Sequence, residues 1–239
     1  MKLHVLGVNG PFPQSNGATS GYLLEAGDET LIQLDLGSGV LSRLTALTAP
    51  ESVDALFLSH WHFDHAADVP VLMYRLEAMK QVLPVYAPED ADSSLFRRVS
   101  SSACFDLKIL KPGDRLSLGG AEITVNAARH PVPAIGFRVS CEGKTFGYTG
   151  DTNTLPSLAK DYRGCDLLLA DGLFPVSVWT EDKPHLSAEL AARLAEDAGA
   201  GQLVITHLNP VFPPEALMKE ARFLHRDTRI ARAGEILEC

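Results

Sequence analysis

The heptapeptide Ser-His-Trp-His-Phe-Asp-His at residues 59–65 is the most informative stretch of this chain. It follows an apolar run that predicts a strand, and in an extended segment alternate side chains point the same way. His60 and His62 can therefore bind one cation through imidazole nitrogens. Asp64 and His65 come where the chain turns towards a helix, and can face a second cation. Packing does not explain this motif, because each buried polar ring would need its own partner.

Three further candidates for metal binding occur in a similar setting. Each stands directly beyond an apolar stretch with strand character: His130, Asp151 and His207. Residues that follow strands converge on one rim of an open α/β sheet, where such proteins place their sites. Together with the motif at residues 59–65, they predict a metal centre built from distant parts of the chain.

The rest of the sequence shows short apolar runs punctuated by single glycines and prolines. These runs predict strands at 3–8, 21–26, 30–35, 53–59, 84–87, 121–127, 135–141, 144–149, 166–170 and 203–206. Periodic apolar residues predict helices at 66–81, at 187–198 and after Pro213-Pro214. This mixed order suits two packed sheets with helices on their outer faces. No linker or repeat interrupts the chain, so we expect one domain over residues 1–239.

The composition limits the classes of partner. Of the 239 residues, 30 are Asp or Glu and 21 are Lys or Arg, and the formal charge of −9 opposes nonspecific binding to phosphate backbones or anionic lipid. The sequence contains no apolar run long enough to span a membrane and no signal-peptide pattern at its start, so we expect a soluble, cytoplasmic protein. Its four cysteines lack CxxC spacing and predict reduced thiols.

The order of these elements resembles a known family. The HxHxDH run, His130, the Thr-Gly-Asp-Thr segment at 149–152 and the strand end Thr206-His207 are similar to the metallo-β-lactamase superfamily along nearly the whole chain. The resemblance implies an α/β fold, a four-layer αββα sandwich of mixed sheets with helices on the outer faces. It also implies two metal positions joined by a shared ligand: one at His60, His62 and His130, another at Asp64, His65 and His207, and Asp151 bridging them. Asp35 matches an early aspartate that supports the metal site.

The resemblance also implies a chemistry for these metals. Two divalent cations bring four positive charges, which two carboxylates only half neutralise, so a bridging water loses a proton near neutral pH and becomes a hydroxide nucleophile. Imidazole and carboxylate ligands favour two Zn²⁺ ions, and they also suit Mn²⁺, Fe²⁺ or Co²⁺. Asp64 belongs to the catalytic set as well, because its loss would remove a ligand.

Residues 185–207 most resemble ribonuclease Z and related phosphodiesterases within the superfamily. There a histidine opens a helix, as His185 does here, and serves as the proton donor to the leaving oxygen. A glutamate in a His-Glu-Ala-Thr motif orients that histidine. This chain has Ala-Asp-Gly-Leu at 170–173, so Asp171 takes the place of the glutamate with a shorter reach, and the motif's own histidine is absent.

The resemblance to ribonuclease Z also limits the class of substrate. The tRNA-processing enzymes of this group carry a long arm between the counterparts of His130 and Asp151, whereas here only residues 131–150 intervene, with a hairpin predicted at Gly143. The missing arm and the acidic charge argue against tRNA. We expect a small phosphodiester, a cyclic nucleotide or a short oligonucleotide, and the sequence leaves a homodimer open.

Other functions share this metal set. Lactonases, thioester hydrolases and glyoxalase-like enzymes use closely similar ligands, and a carbonyl-ester hydrolase is the main alternative. β-Lactamases lack the bridging aspartate that Asp151 offers. A flavin-linked di-iron oxygen reductase would need a flavin domain for which the chain has no room. A non-catalytic, metal-stabilised binding module would show missing ligands, and none is missing.

Overall fold

Two seven-stranded sheets form the centre of the structure, a computed structural model that describes residues 1–27 and 29–239. The first sheet contains β1 (Lys2–Gly7), β2 (Gly21–Ala26), β3 (Thr30–Leu34), β4 (Ala55–Phe57), β5 (Leu83–Ala87), β6 (Phe105–Ile109) and β14 (Ile236–Glu238). The second contains β7 (Arg115–Leu118), β8 (Ala121–Ala127), β9 (Ile135–Cys141), β10 (Lys144–Tyr148), β11 (Leu167–Asp171), β12 (Gln202–Thr206) and β13 (Thr228–Ile230).

Both sheets are mixed. The strand orders are β14-β1-β2-β3-β4-β5-β6 and β13-β12-β11-β10-β9-β8-β7. In the first sheet β3, β4, β5 and β6 run parallel, and in the second β10, β11, β12 and β13 do. The remaining neighbours are antiparallel.

Seven α-helices accompany the sheets in the described part of the chain. They are α1 (Val40–Leu44), α2 (Phe63–Ala66), α3 (Val69–Met79), α4 (Ser94–Ser100), α5 (Leu158–Asp161), α6 (Ala188–Ala198) and α7 (Pro214–Leu224). The helices α1 to α4 pack on the first sheet and α5 to α7 on the second, which confirms the predicted αββα sandwich. Within residues 1–27 and 29–239, no helix combines the length and hydrophobicity that a bilayer span requires.

Each central strand of the first sheet buries both of its faces. Leu24 and Phe57 point into the core between the sheets, whereas their neighbours Leu23 and Leu56 point into a second core under the helices. Such strands appear in the sequence as continuous apolar runs instead of alternating ones.

The helix α6, which connects β11 and β12 of the second sheet, follows its sequence signals closely. Ser187 caps α6 by accepting a hydrogen bond from the Leu190 amide at 3.1 Å, and Gly199 ends it with a positive φ of 63°. The predicted helix at 187–198 is thus confirmed. The next predicted helix, after Pro213, is α7.

The predicted helix at 66–81 is wrong in its limits. The structure has α2 and α3 in its place, separated at Ala67 and Asp68. Pro70 lies in the first turn of α3 and has no N–H to donate to Ala66, so one continuous helix cannot pass this point. All predicted strands are present with small shifts at their ends, and the sequence analysis missed β6, β7, β13, β14, α1, α4 and α5.

Phe57 provides a test of the core between the sheets. Its ring is fully buried, stacks on Tyr86 at 4.6 Å and meets Phe137 edge-on at 5.4 Å. Phe57→Ala is expected to lower the free energy of unfolding by about 3–5 kcal/mol, because it removes this packing and leaves a cavity. Phe223→Ala, the same change at an 89% exposed ring, should alter it by less than about 0.5 kcal/mol. Denaturant titrations measure both, and equal losses would contradict the described core.

Candidate metal centre

The structure brings every predicted site residue to one rim between the two sheets. The motif at residues 59–65 leaves β4 and enters α2. The other candidates follow or end strands of the second sheet or precede α6: His130, Asp151, Asp171, His185 and His207. Because β10, β11 and β12 are parallel, their carboxyl ends meet at the same edge and carry these side chains together.

The first cluster consists of three imidazoles and one carboxylate. Nδ1 of His62 lies 3.0 Å from Nε2 of His60 and 3.1 Å from Nε2 of His130. Oδ2 of Asp151 lies 3.6 Å from the same His60 nitrogen. Ligand atoms around a tetrahedral zinc ion with bonds of about 2.0–2.1 Å lie roughly 3.3 Å apart, so this spacing suits a single bound cation.

The orientation of His130 supports this interpretation. Its Nδ1 lies 3.2 Å from the carbonyl oxygen of Pro184, which can only accept a hydrogen bond, so Nδ1 donates and Nε2 keeps its lone pair. That lone pair faces the His62 nitrogen, and a shared cation satisfies both. Burial lowers the pKa of His130 to about 4 and holds the pKa of His60 well below its ordinary value. Both rings are thus neutral, as metal ligands must be.

The second cluster contains Asp64, His65, Asp151 and His207. Nε2 of His207 lies 3.1 Å from Oδ2 of Asp64 and 3.3 Å from Oδ2 of Asp151. Nε2 of His65 lies 3.2 Å from Oδ1 of Asp151 and has no hydrogen-bond partner among the described residues. These four side chains also match the spacing of a metal site.

The field in the second cluster is strongly negative. Burial alone would lower the pKa of His65, but the carboxylates of Asp151, Asp35 and Asp64 outweigh it and raise the pKa well above the ordinary value. Burial would likewise raise the pKa of Asp151, yet His207 and His65 hold it well below its usual range. A group of buried acceptors that attracts positive charge so strongly is suited to a divalent cation.

Asp35 orients the imidazole ring of His65 in the second cluster. Its Oδ2 accepts hydrogen bonds from Nδ1 of His65 at 2.7 Å and from the Tyr148 hydroxyl at 2.6 Å. The amide and the hydroxyl of Ser59 donate to the same carboxylate at 2.7 and 2.8 Å. These donors hold the Asp35 carboxylate in one orientation, and Asp35 in turn directs Nε2 of His65 into the site.

A second aspartate orients the histidine at the entrance to α6. Nδ1 of His185 donates to Oδ2 of Asp171 at 2.8 Å, and the amides of Thr152 and Leu173 donate to the same carboxylate, each at 3.1 Å. His185 is only 8% exposed, and its Nδ1 lies 3.7 Å from Oδ2 of Asp151. Burial opposes protonation, but Asp171 outweighs it and raises the pKa of His185 to about 9. The pair therefore holds a proton beside both clusters.

The comparisons with known proteins agree with this geometry. The beta-lactamase superfamily domain matches residues 14–208. The chain belongs to the beta-lactamase superfamily. It is 34% identical over 245 residues to the probable metallo-hydrolase YhfI of Bacillus subtilis, with 100% of both chains covered. The crystal structure of YhfI matches with a TM-score of 0.92 at 33% identity, over 99% of this chain and 98% of that one.

More distant members of the superfamily are ribonucleases. The chain is 27% identical over 292 residues to a ribonuclease Z of Bradyrhizobium, covering 96% of this chain and 97% of the other. The short form of human tRNase Z matches with a TM-score of 0.82 at 17% identity, over 100% of this chain and 99% of that one. At this identity, the match to the human enzyme shows the shared fold alone.

Sequence reasoning missed three residues of this site. Ser59 begins the motif at residues 59–65, yet nothing in the sequence indicates a role for its hydroxyl. Tyr148 directly precedes the Thr-Gly-Asp-Thr segment, but an inward tyrosine in an apolar strand carries no mark of function. The Thr152 amide supports Asp171 through the backbone, which no side-chain pattern reveals.

Replacing Asp35 tests the metal centre directly, because it changes the support of His65 without removing a metal ligand. The wild-type protein is expected to bind two divalent cations per chain, and Asp35→Asn to bind one of them about 10- to 100-fold more weakly, because the amide no longer holds His65 by charge. Elemental analysis and titration against a chelator measure both quantities. Asp54→Asn is the matched control, since Asp54 only accepts from the Leu31 amide at the surface. Stoichiometry of one or none, or equal affinities, would contradict the assignment.

Proposed function

We propose that this chain is a dinuclear zinc-dependent phosphodiesterase that hydrolyses a small phosphodiester, such as a cyclic nucleotide or a short oligonucleotide. The observation that carries the proposal is the buried His185–Asp171 pair, in which Asp171 accepts from Nδ1 of His185 at 2.8 Å and the ring lies beside the metal clusters, with its Nδ1 3.7 Å from Oδ2 of Asp151. An alkoxide leaving group needs a proton as it departs. A thioester, which releases a stable thiolate, has less need of one.

Asp151 is proposed to bridge the two cations. Its Oδ1 faces His65 at 3.2 Å and its Oδ2 faces His60 at 3.6 Å, so one carboxylate oxygen is available to each cluster. The first cation would be held by His60, His62 and His130, and the second by Asp64, His65 and His207. Zinc is our choice for these donors, with Mn²⁺, Fe²⁺ or Co²⁺ as alternatives. When bound, the pair of cations polarises the phosphoryl group and acidifies a water molecule.

His185 is proposed to protonate the leaving oxygen through Nε2. Asp171 engages Nδ1, so it fixes both the tautomer and the direction of the ring. Asp171 is held by two backbone amides, which lets the shorter aspartate do the work of a glutamate. The similarity to ribonuclease Z of Bradyrhizobium, a protein named for cleaving a phosphodiester, supports the same chemistry here.

The connection between His130 and Asp151 supports a small substrate. It consists of β9 and β10 joined by a tight turn at Glu142 and Gly143, both with positive φ. This hairpin pairs into the second sheet along its length and does not extend as an arm. The chain therefore has no counterpart at this place of the segment with which related enzymes hold tRNA.

A substrate panel tests the proposed activity. Zinc-loaded protein should hydrolyse bis-p-nitrophenyl phosphate and cyclic or oligomeric nucleotides with a higher kcat/KM than a lactone or a thioester. Asp151→Asn should remove the activity, because it weakens a ligand shared by both cations. Faster turnover of the lactone or thioester would favour a carbonyl-ester hydrolase, and no turnover of any substrate would favour a binding module.

The role of His185 can be separated from metal binding by the leaving group. His185→Ala should slow substrates with alkyl-type leaving groups by about 10²- to 10⁴-fold, because an alkoxide must be protonated as it departs. It should slow p-nitrophenyl esters much less, since p-nitrophenolate is stable without a proton. His4→Ala, at a histidine that pairs with Glu25 away from the rim, is the control. Equal losses on both substrate types, or loss of a metal, would show that His185 does not transfer a proton.

A further inference from the structure

A groove of about 1000 Å³ lies beside the metal centre, and its charge is opposite to that of the protein. We call it the cationic groove. Its walls carry five basic side chains, Arg43, Lys219, Arg222, Arg229 and Arg232, and two acidic ones, Glu215 and Glu235. The chain as a whole carries a formal charge of −9. A local reversal of charge in a concave surface indicates an anionic ligand.

The basic residues reach the groove from separate elements. One wall is a face of α7, where Met218, Lys219 and Arg222 follow Glu215 at helical spacing. Another part of the lining is formed by β13 and the loop after it, with Arg229 and Arg232. The convergence is therefore a product of the fold and not of a basic run in the sequence.

These cations are not neutralised by the protein. Among the described residues, none of the five forms an ion pair with a carboxylate. Arg222 donates to the Thr228 carbonyl and Arg43 to the Asn16 carbonyl, contacts that leave the positive charge in place. Several like charges in one concave surface focus a positive potential that a polyanion would relieve.

The groove adjoins the metal centre at Asn9 and Leu208. Leu208, which follows His207, lines its wall, and the side chain of Asn9 donates to the Leu208 carbonyl at 3.3 Å. Phe212 also lines it and lies 6.2 Å from the ring of Phe174, which in turn lies 6.0 Å from the imidazole of His185. Through Phe174 this wall of the groove adjoins His185, the proposed donor to the leaving oxygen.

We propose that the cationic groove binds the phosphates of the nucleotides on the leaving-group side of the scissile bond, so that the substrate is a short single-stranded oligonucleotide. This rests on the proposed phosphodiesterase function. A cyclic nucleotide has no chain beyond its leaving oxygen and would leave the groove unused. The volume is at the upper end of the roughly 300–1,000 Å³ typical of small-molecule sites. Phe212, Met218 and Ile230 supply apolar surface for bases between the charges.

A binding measurement tests the groove without turnover. The probe is fluorescein-labelled pentathymidylate with phosphorothioate linkages, which resist cleavage, and its Kd is measured by fluorescence anisotropy at several salt concentrations. The double variant Arg229→Glu, Arg232→Glu should raise Kd by about tenfold or more. It should also reduce the slope of log Kd against log salt by about 1.4, or about 0.7 for each lost phosphate contact.

The control carries the same change of charge elsewhere. Arg98 on α4 and Arg115 on β7 are exposed and lie outside the groove, so Arg98→Glu, Arg115→Glu should leave Kd unchanged. Unlabelled phosphorothioate pentathymidylate should compete far better than thymidine monophosphate or tripolyphosphate. Circular dichroism confirms that both variants fold, which is expected because all four arginines are exposed.

Several outcomes would overturn the groove proposal. Equal weakening by the control variant would indicate nonspecific attraction, and equal competition by tripolyphosphate would indicate a general polyanion site. A change from dimer to monomer in the groove variant, seen by sedimentation, would make this surface an interface between copies. Absence of binding by a protein that cleaves bis-p-nitrophenyl phosphate would overturn the groove alone, whereas groove-dependent binding without any phosphodiesterase activity would contradict only the proposed function.

Discussion

Nε2 of His65 faces two carboxylates, and the rest of the site depends on that arrangement. Asp35 accepts a hydrogen bond from Nδ1 of His65 at 2.7 Å, so Nε2 of the same ring lies 3.2 Å from Asp151 and 3.8 Å from Asp64. A neutral ring would turn only a lone pair towards these oxygens, so the site favours positive charge, either a proton on His65, whose pKa the carboxylates raise, or a bound cation. Tyr148 and the other donors to Asp35 hold that carboxylate against Nδ1 of His65. Residues that do not bind the cation therefore create the site's preference for positive charge.

The fold supplies these residues because parallel strands end together. Asp171 pairs in register with Thr206, so the residues that follow β12 and those that end β11 occupy one edge of the sheet. The chain turns there in unfavourable backbone conformations, since His207 has a φ of 57° and Asp35 a φ of 53°. Neither is a glycine. At these two positions the contacts that the side chain makes in the site compensate for the conformational energy of the strained backbone.

The sequence predicted the parts of this molecule that local patterns encode. The motif at 59–65 and the residues that follow strands are recognisable from residue type and spacing alone. Long apolar runs indicated the central strands. The short edge strands β7 and β13 were missed because partly exposed segments of three or four residues carry too little periodicity. Tyr148 and the cationic groove were missed for a different reason, since both arise only when distant elements pack together.

The acidic charge and the cationic groove act over different distances. At physiological ionic strength charges are screened beyond about 8 Å, so a bound phosphate experiences the arginines around it more than the net charge of −9. A long nucleic acid must extend past the groove over acidic surface, where its phosphates are repelled. A short nucleic acid ends before it reaches that acidic surface. The expectation that this protein avoids long phosphate backbones and the assignment of a phosphate-binding groove are therefore compatible, and together they favour short ligands over long ones.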